Sequence, residues 1–114
     1  NLYQEVKMKK EKFYNLHSDM CKTISNPRRQ AIIDAIRDKS LTVTEIVQKT
    51  GLPQSNISQH LSLLSAKGIV NRNRNGSNIY YSIANPKIIK AYDLLTEVLR
   101  EESNSKQDVI NDLF

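Results

Sequence analysis

The stretch from Thr42 to Gly68 constrains the fold of this chain more than any other part. Thr42-Val43-Thr44-Glu45 places a threonine at a helix N-cap and a glutamate three residues later, the two halves of a capping box. The helix it opens runs through Thr50 and directs Val43, Ile46 and Val47 to one side. Gly51 ends it in the left-handed conformation that costs glycine little. Pro53 starts a longer helix, which runs to about Lys67 and is ended by Gly68. A short helix, a glycine-containing turn and a longer helix make a helix-turn-helix pattern.

The flanks complete the plan. Leu2, Val6, Phe13, Leu16, Met20 and Ile24 recur at helical steps, with a gap at Lys9 and Lys10, and predict one long first helix. After Ser25, Asn26 caps a second helix with Pro27 at its first position. That helix presents Ile32, Ile33 and Ile36 and ends near Lys39, before an extended Leu41-Thr42. Ile69-Val70 begins a strand that continues through Arg74. Asn75-Gly76 is a strong hairpin signal, and Asn78 to Ile83 is the return strand. Its alternation puts Ile79, Tyr81 and Ile83 on one face and Tyr80 and Ser82 on the other. Tyr81 reads as core. Asn85-Pro86 caps a last helix, Lys87 to about Glu101, with apolar Ile88, Ile89, Tyr92, Leu95, Val98 and Leu99.

The predicted fold class is therefore mainly α with a small β-hairpin wing, a winged helix-turn-helix. Five helices are expected, with an extended segment between the second and third and the hairpin between the fourth and fifth. Residues 1–101 read as one domain: the helix-turn-helix at 43–67, the wing at 69–83, and outer helices at 1–25 and 86–101. Residues 102–114 read as a polar, frayed tail, in which Val109-Ile110 and Leu113-Phe114 can make one more amphipathic turn.

Composition narrows the function classes. With 114 residues the chain suits one small domain. No apolar run approaches the roughly 20 residues of a membrane span, so no membrane partner is expected. There is no secretory leader pattern. Cys21 is the one cysteine, so no internal disulfide can form. These features point to a reducing, cytoplasmic setting. No nucleophile–base–acid set appears, and three glycines cannot supply a phosphate-cradling loop. No catalytic residues and no cofactor are expected.

Charge is distributed unevenly. Net charge is +5, yet residues 46–92 carry Lys49, Lys67, Arg72, Arg74, Lys87 and Lys90 and no carboxylate at all. Residues 93–114 carry six acids against two bases, and residues 1–45 six acids against nine bases. An acid-free stretch of that length suits a polyanion, because a carboxylate there would repel phosphate. Charge alone fits a solvated basic surface equally well.

The longer helix of the pair sharpens this. Ile57, Leu61 and Leu64 anchor one face to the core. Ser55, Ser58, Gln59 and Ser62 share another face, which is small, polar and uncharged. An ordinary solvated helix face favours Lys and Glu. Short uncharged side chains instead let a helix backbone approach the major groove, where Gln and Asn can bond adenine bidentately and Ser can bond bases or phosphate. The helix N-terminus favours phosphate. Ser55, Asn56, Ser58 and Gln59 are the expected base-edge residues, with Gln54, His60 and Ser62 as supplements. Arg72 and Arg74 share one strand face, and with Asn75 they are placed to hold the backbone or the minor groove. The same arginines also protect an edge strand from aggregation. Arg28 and Arg29 can add phosphate contacts at the N-terminus of the second helix.

Taken in order, Asn26-Pro27-Arg28-Arg29, Leu52 through Leu61, Leu64 with Gly68-Ile69-Val70, and Arg72 with Arg74-Asn75-Gly76 and Tyr80-Tyr81 resemble the ArsR/SmtB family of prokaryotic winged-helix repressors. The likeness spans Asn26 to Glu101, about two-thirds of the chain. The resemblance implies a transcriptional regulator whose partner is double-stranded DNA, bound at an imperfect inverted repeat by a homodimer. It also implies dimerisation through the first and last helices. Phe13, Leu16 and Met20 on one, with Ile88, Tyr92, Leu95 and Leu99 on the other, are the residues expected there. Recognition helices of such a dimer enter successive major grooves ~34 Å apart.

The chain departs from the family where signals are sensed. Many members hold a metal through cysteines at the start of the third helix, but Leu41 through Val47 has none. Others hold zinc with Asp, His and Glu of the last helix, which here has no histidine. Asp93 and Glu97 alone suit a soft metal poorly. His17 and Cys21, one turn apart, are the remaining candidate for two positions of a zinc or copper site. They read first as a helix-face histidine and a small hydrophobe, so no metal is expected. An effector, if there is one, is not specified by the residues. Two other readings stand beside sequence-specific regulation: a winged-helix module acting through protein contacts, and a non-specific architectural DNA binder.

Overall fold

The structure, a computed structural model, describes residues 1–102 and 104–113. Helix α1 spans Leu2–Ser25, with the Asn1 side chain accepting from the Gln4 amide at its start. Asn26 breaks the helix in an extended conformation and caps the next one, α2 (Pro27–Ala35). Its Oδ1 accepts from the amides of Arg28 and Arg29 at 3.0 and 3.2 Å, donors the first helical turn leaves without backbone partners.

Helix α2 is shorter than its apolar spacing suggests. It ends at Ala35 rather than near Lys39, with Ile36 as its C-cap. Lys49 Nζ donates to the Ala35 carbonyl at 3.0 Å, and the chain then turns so that Leu41 can pair with Tyr81. That pairing is reciprocal: the Leu41 amide donates to Tyr81 at 3.0 Å and the Tyr81 amide to Leu41 at 2.8 Å. The extended segment before the third helix is thus a one-residue third strand.

Helix α3 spans Val43–Thr50 and has both halves of the capping box. The Glu45 amide donates to Thr42 Oγ1 at 3.2 Å, and the Thr42 amide to Glu45 Oε1 at 3.0 Å. The bond from the Thr42 amide, and then the Thr42 hydroxyl, hold the Glu45 carboxyl below its usual 4.5. Gly51 closes the helix at φ 72°, a left-handed conformation that glycine adopts without strain. Helix α4 spans Gln54–Ala66. At its end the Ile69 amide donates to Leu64 and the Gly68 amide to Ser65, the pair of bonds of a Schellman motif.

Strands β1 (Val70–Asn75) and β2 (Asn78–Ile83) form an antiparallel hairpin in which Arg72 faces Tyr81 and Arg74 faces Ile79. Asn75 pairs with Asn78, so the two-residue loop is Gly76-Ser77, with Gly76 at φ 66°. The Asn-Gly pair therefore straddles the end of the strand, and glycine takes the first loop position.

The core lies among α2, α3, α4 and the start of the hairpin. Ile32, Ile33, Ile36, Leu41, Ile46, Ile57, Leu61, Leu64, Ile69 and Val70 are all buried. Val43 and Val47 are half-buried. Tyr81, read as core from the sequence, is also half-buried, at the margin where Leu41 meets the hairpin.

Two compact units divide the chain, Asn1–Ile83 and Ala84–Phe114. The second contains α5 (Lys87–Glu102) and α6 (Asn104–Leu113), which pack on each other. Helix α6 replaces the expected frayed tail. Its amphipathic spacing buries Ile110 and leaves Val109 and Leu113 exposed. Ser103 and Phe114 of that expected tail lie outside the described residues. Among the described residues, no helix is long and apolar enough to cross a membrane.

Candidate nucleic-acid interface

Helix α4 has three faces, each with a different fate. Ile57, Leu61 and Leu64 are fully buried and fix the helix to the core. Gln54, Ser55, Ser58, Gln59 and Ser62 are exposed. No carboxylate occurs in α4, so nothing in this helix repels a phosphate. Pro53 occupies the N-cap and offers no side-chain acceptor to the first-turn amides, which remain open donors.

The third face holds Asn56 and His60, both half-buried. Arg28 Nη1 donates to Asn56 Oδ1 at 2.6 Å, and Arg29 Nη1 lies 3.3 Å from His60 Nδ1. A guanidinium can only donate, so His60 Nδ1 accepts and the imidazole proton sits on Nε2. Burial, and then the charges of Arg29 and Arg28, push the His60 pKa below its ordinary 6.5. Asn56, expected at base edges, and His60, expected to supplement them, are therefore tied to α2. Arg29 is half-buried, while Arg28 is exposed and bonded to Asn56.

In the hairpin, Arg72, Arg74 and Asn75 are exposed. The arginines share a face with Val70, the one buried residue of β1, because strand side chains alternate. They therefore extend the core-facing side of the wing outward. Among the described residues no ion pair neutralises either of them. Tyr80 is half-buried on the opposite face.

The helices expected to dimerise carry large exposed apolar side chains. Phe13 is 58% and Leu16 66% accessible in α1, with Met20 at the edge of exposure. In α5, Leu95 and Leu99 are exposed, while Ile88 and Tyr92 are half-buried. His17 and Cys21 are exposed, with Cys21 Sγ 3.5 Å from His17 Nδ1. No group of three or more metal-ligating side chains occurs among the described residues.

Some contacts at this surface had no local signal. Lys67 Nζ, at the end of α4, bonds Asp19 Oδ2 of α1 at 2.8 Å, across 48 residues of sequence. Arg29 also donates to the Thr23 and Lys22 carbonyls, at 2.5 and 3.3 Å.

A helix-turn-helix with an exposed, acid-free second helix and an arginine-bearing hairpin defines a winged helix-turn-helix DNA-binding protein. The sequence pattern of the bacterial regulatory protein arsR family matches residues 26–72. The chain is 42% identical over 82 residues to the transcriptional repressor PagR of Bacillus anthracis, covering 71% of this chain and 82% of that one. It resembles the crystal structure of NolR from Sinorhizobium fredii with a TM-score of 0.73 and 31% identity, over 79% of this chain and 90% of that one. A solution structure of a homodimeric winged helix-turn-helix DNA-binding domain from Mycobacterium bovis matches with a TM-score of 0.71 and 27% identity, over 81% of this chain and 85% of that one. The chain belongs to the ArsR family of bacterial regulatory proteins. It is a DNA-binding transcriptional regulator and not an enzyme.

Proposed function

We propose that this regulator is a homodimeric repressor that binds an inverted-repeat operator sequence-specifically. The observation that carries the reading is the exposed face of α4. Ser55, Ser58, Gln59 and Ser62, with Gln54 at the open N-terminus, form a small uncharged surface without a carboxylate. Side chains of that kind allow a close approach to base edges. Arg72, Arg74 and Asn75 grip the flanking backbone or minor groove. Arg28 adds a phosphate contact from the edge of α2.

Assembly follows from the apolar residues that a single copy leaves wholly or partly in water. Phe13, Leu16 and Met20 of α1, with Ile88, Tyr92, Leu95 and Leu99 of α5, form the pairing surfaces. The homodimeric Mycobacterium bovis domain supports this. Repression is supported by the name of the Bacillus anthracis relative and by the physics of a dimer that occludes a promoter. The regulator needs no metal or other cofactor to bind, and it works in the cytoplasm.

Selection from a pool of random duplex DNA, followed by sequencing, tests the reading. An enriched inverted repeat, recovered equally with and without a chelator, is expected. Weak, salt-sensitive binding with no enriched sequence contradicts it and favours an architectural role.

A further inference from the structure

Arg29 distributes its donors in two directions. Nε and Nη2 reach the Thr23 and Lys22 carbonyls, at 2.5 and 3.3 Å, in the last turn of α1. Those carbonyls are among the acceptors that a helix C-terminus leaves without intrahelical partners. Nη1 reaches His60 Nδ1 of α4 at 3.3 Å. One planar guanidinium thus bridges α1 and α4, which the single ammonium of a lysine cannot reproduce.

A second tie joins the same two helices, from Asp19 of α1 to Lys67 at the end of α4. Both ties anchor on residues 19–23 of α1. That short stretch is well built: Thr23 is buried and its hydroxyl donates to the Asp19 carbonyl at 2.8 Å. Residues 1–22 of α1, by contrast, are exposed throughout. Helix α1 is therefore a long arm held to the body at its last turns, and those turns hold the middle and the end of α4. A helix the length of α4 is about 20 Å long, so a tilt of ~5° moves its far end by nearly 2 Å, more than a hydrogen bond tolerates.

We propose that Arg29 is a positioning residue for DNA recognition. It sets the pose of α4 against the last turn of α1 through His60, so that displacement of α1 changes which bases the exposed face of α4 meets. This rests on the sequence-specific reading given above and adds the route by which α1 controls that face. Arg29 differs in this from Arg72 and Arg74. Its Nε and both of its Nη nitrogens bond within the protein, so it contributes to discrimination more than to general attraction for phosphate.

The test compares Arg29→Ala, Arg29→Lys, His60→Ala and His60→Asn on two duplexes, the repeat recovered by selection and a scrambled duplex of equal length. Asparagine keeps an acceptor near the position of Nδ1. Arg29→Lys and His60→Asn are the variants that keep charge or acceptor should the alanine forms fold poorly. Arg29→Ala, Arg29→Lys and His60→Ala are expected to lose tenfold or more on the repeat and less than about twofold on the scrambled duplex, with an unchanged salt slope. His60→Asn should retain binding to the repeat. Equal loss on both duplexes with a shallower salt slope would make Arg29 a phosphate contact and overturn the proposal. So would a loss in His60→Asn as large as in His60→Ala, which would put His60 itself on the DNA.

Hydrogen exchange without DNA supplies an independent arm. In Arg29→Lys the amides of Gln54–Ala66 should exchange faster while those of Val43–Thr50 do not change. Unchanged exchange in α4 would overturn the tie, whereas failure of the native chain to select any repeat would overturn only the sequence-specific reading.

Discussion

Arg72 and Arg74 stand on an exposed strand with no anionic partner among the described residues, so their charge is available to a polyanion. Replacing either with alanine should weaken binding to specific and random duplexes alike. It should also lower the slope of log affinity against log salt by about 1. Titrations at several salt concentrations measure both effects. His60 responds to a different variable. Burial and the adjacent Arg29 and Arg28 hold its pKa below 6.5, so the folded protein takes up that proton less readily than the unfolded chain. Its contribution to stability is complete above about 6.5 and is lost as pH falls from there through the lowered folded value. Melting temperature should therefore drop on acidification through this range, and His60→Asn should flatten that drop. An identical pH profile in the variant would contradict the assignment.

The helix boundaries rest on caps, and the best of them is testable alone. Removing the Thr42 hydroxyl in Thr42→Ala should cost about 1 kcal/mol of stability, read from denaturant unfolding. Glu45 remains tied to the Thr42 amide, and its depressed pKa makes this contribution present above 4.5 and lost as pH falls through the lower folded value. Caps of this kind are local, which explains why so much of the fold was legible. Asn26-Pro27, the Thr42–Glu45 box, Gly51, Gly68 and the Asn75-Gly76 signal each act within a few residues. What could not be read was decided by distant partners. At the end of α2 the Ala35 carbonyl accepts from Lys49, 14 residues on. The hydrogen bonds of Asn56 and His60 are to Arg28 and Arg29, which lie 28 and 31 residues away. Period and composition mark these two side chains as polar members of α4, and helix packing turns them toward α2. Helix α6 was legible only in part: Val109, Ile110 and Leu113 marked one amphipathic turn, while the polar composition around them read as a frayed tail.

At the scale of the molecule, the exposed apolar stripe of α1 is the feature a lone copy explains least. A side chain such as Leu16, two-thirds exposed, contributes little to the folding of one chain but can contribute much to pairing. Leu16→Glu should leave thermal unfolding cooperative and reduce the mass found by light scattering to that of one 13.1 kDa chain. Retention of the native mass would exclude α1 at that position from the assembly. In the proposed dimer, two paired copies would present two α4 helices to DNA, with a half-site spacing set by the symmetry of the pair. The most direct test of the whole account runs the random-duplex selection on the native chain and on Gln59→Ala side by side. The native chain should yield an inverted repeat with half-sites about one helical turn apart. The variant should yield the same repeat, with preference flattened at one position in each half-site. Identical motifs with identical base weights from both chains would contradict it, because the exposed face of α4 would then not be what reads the sequence.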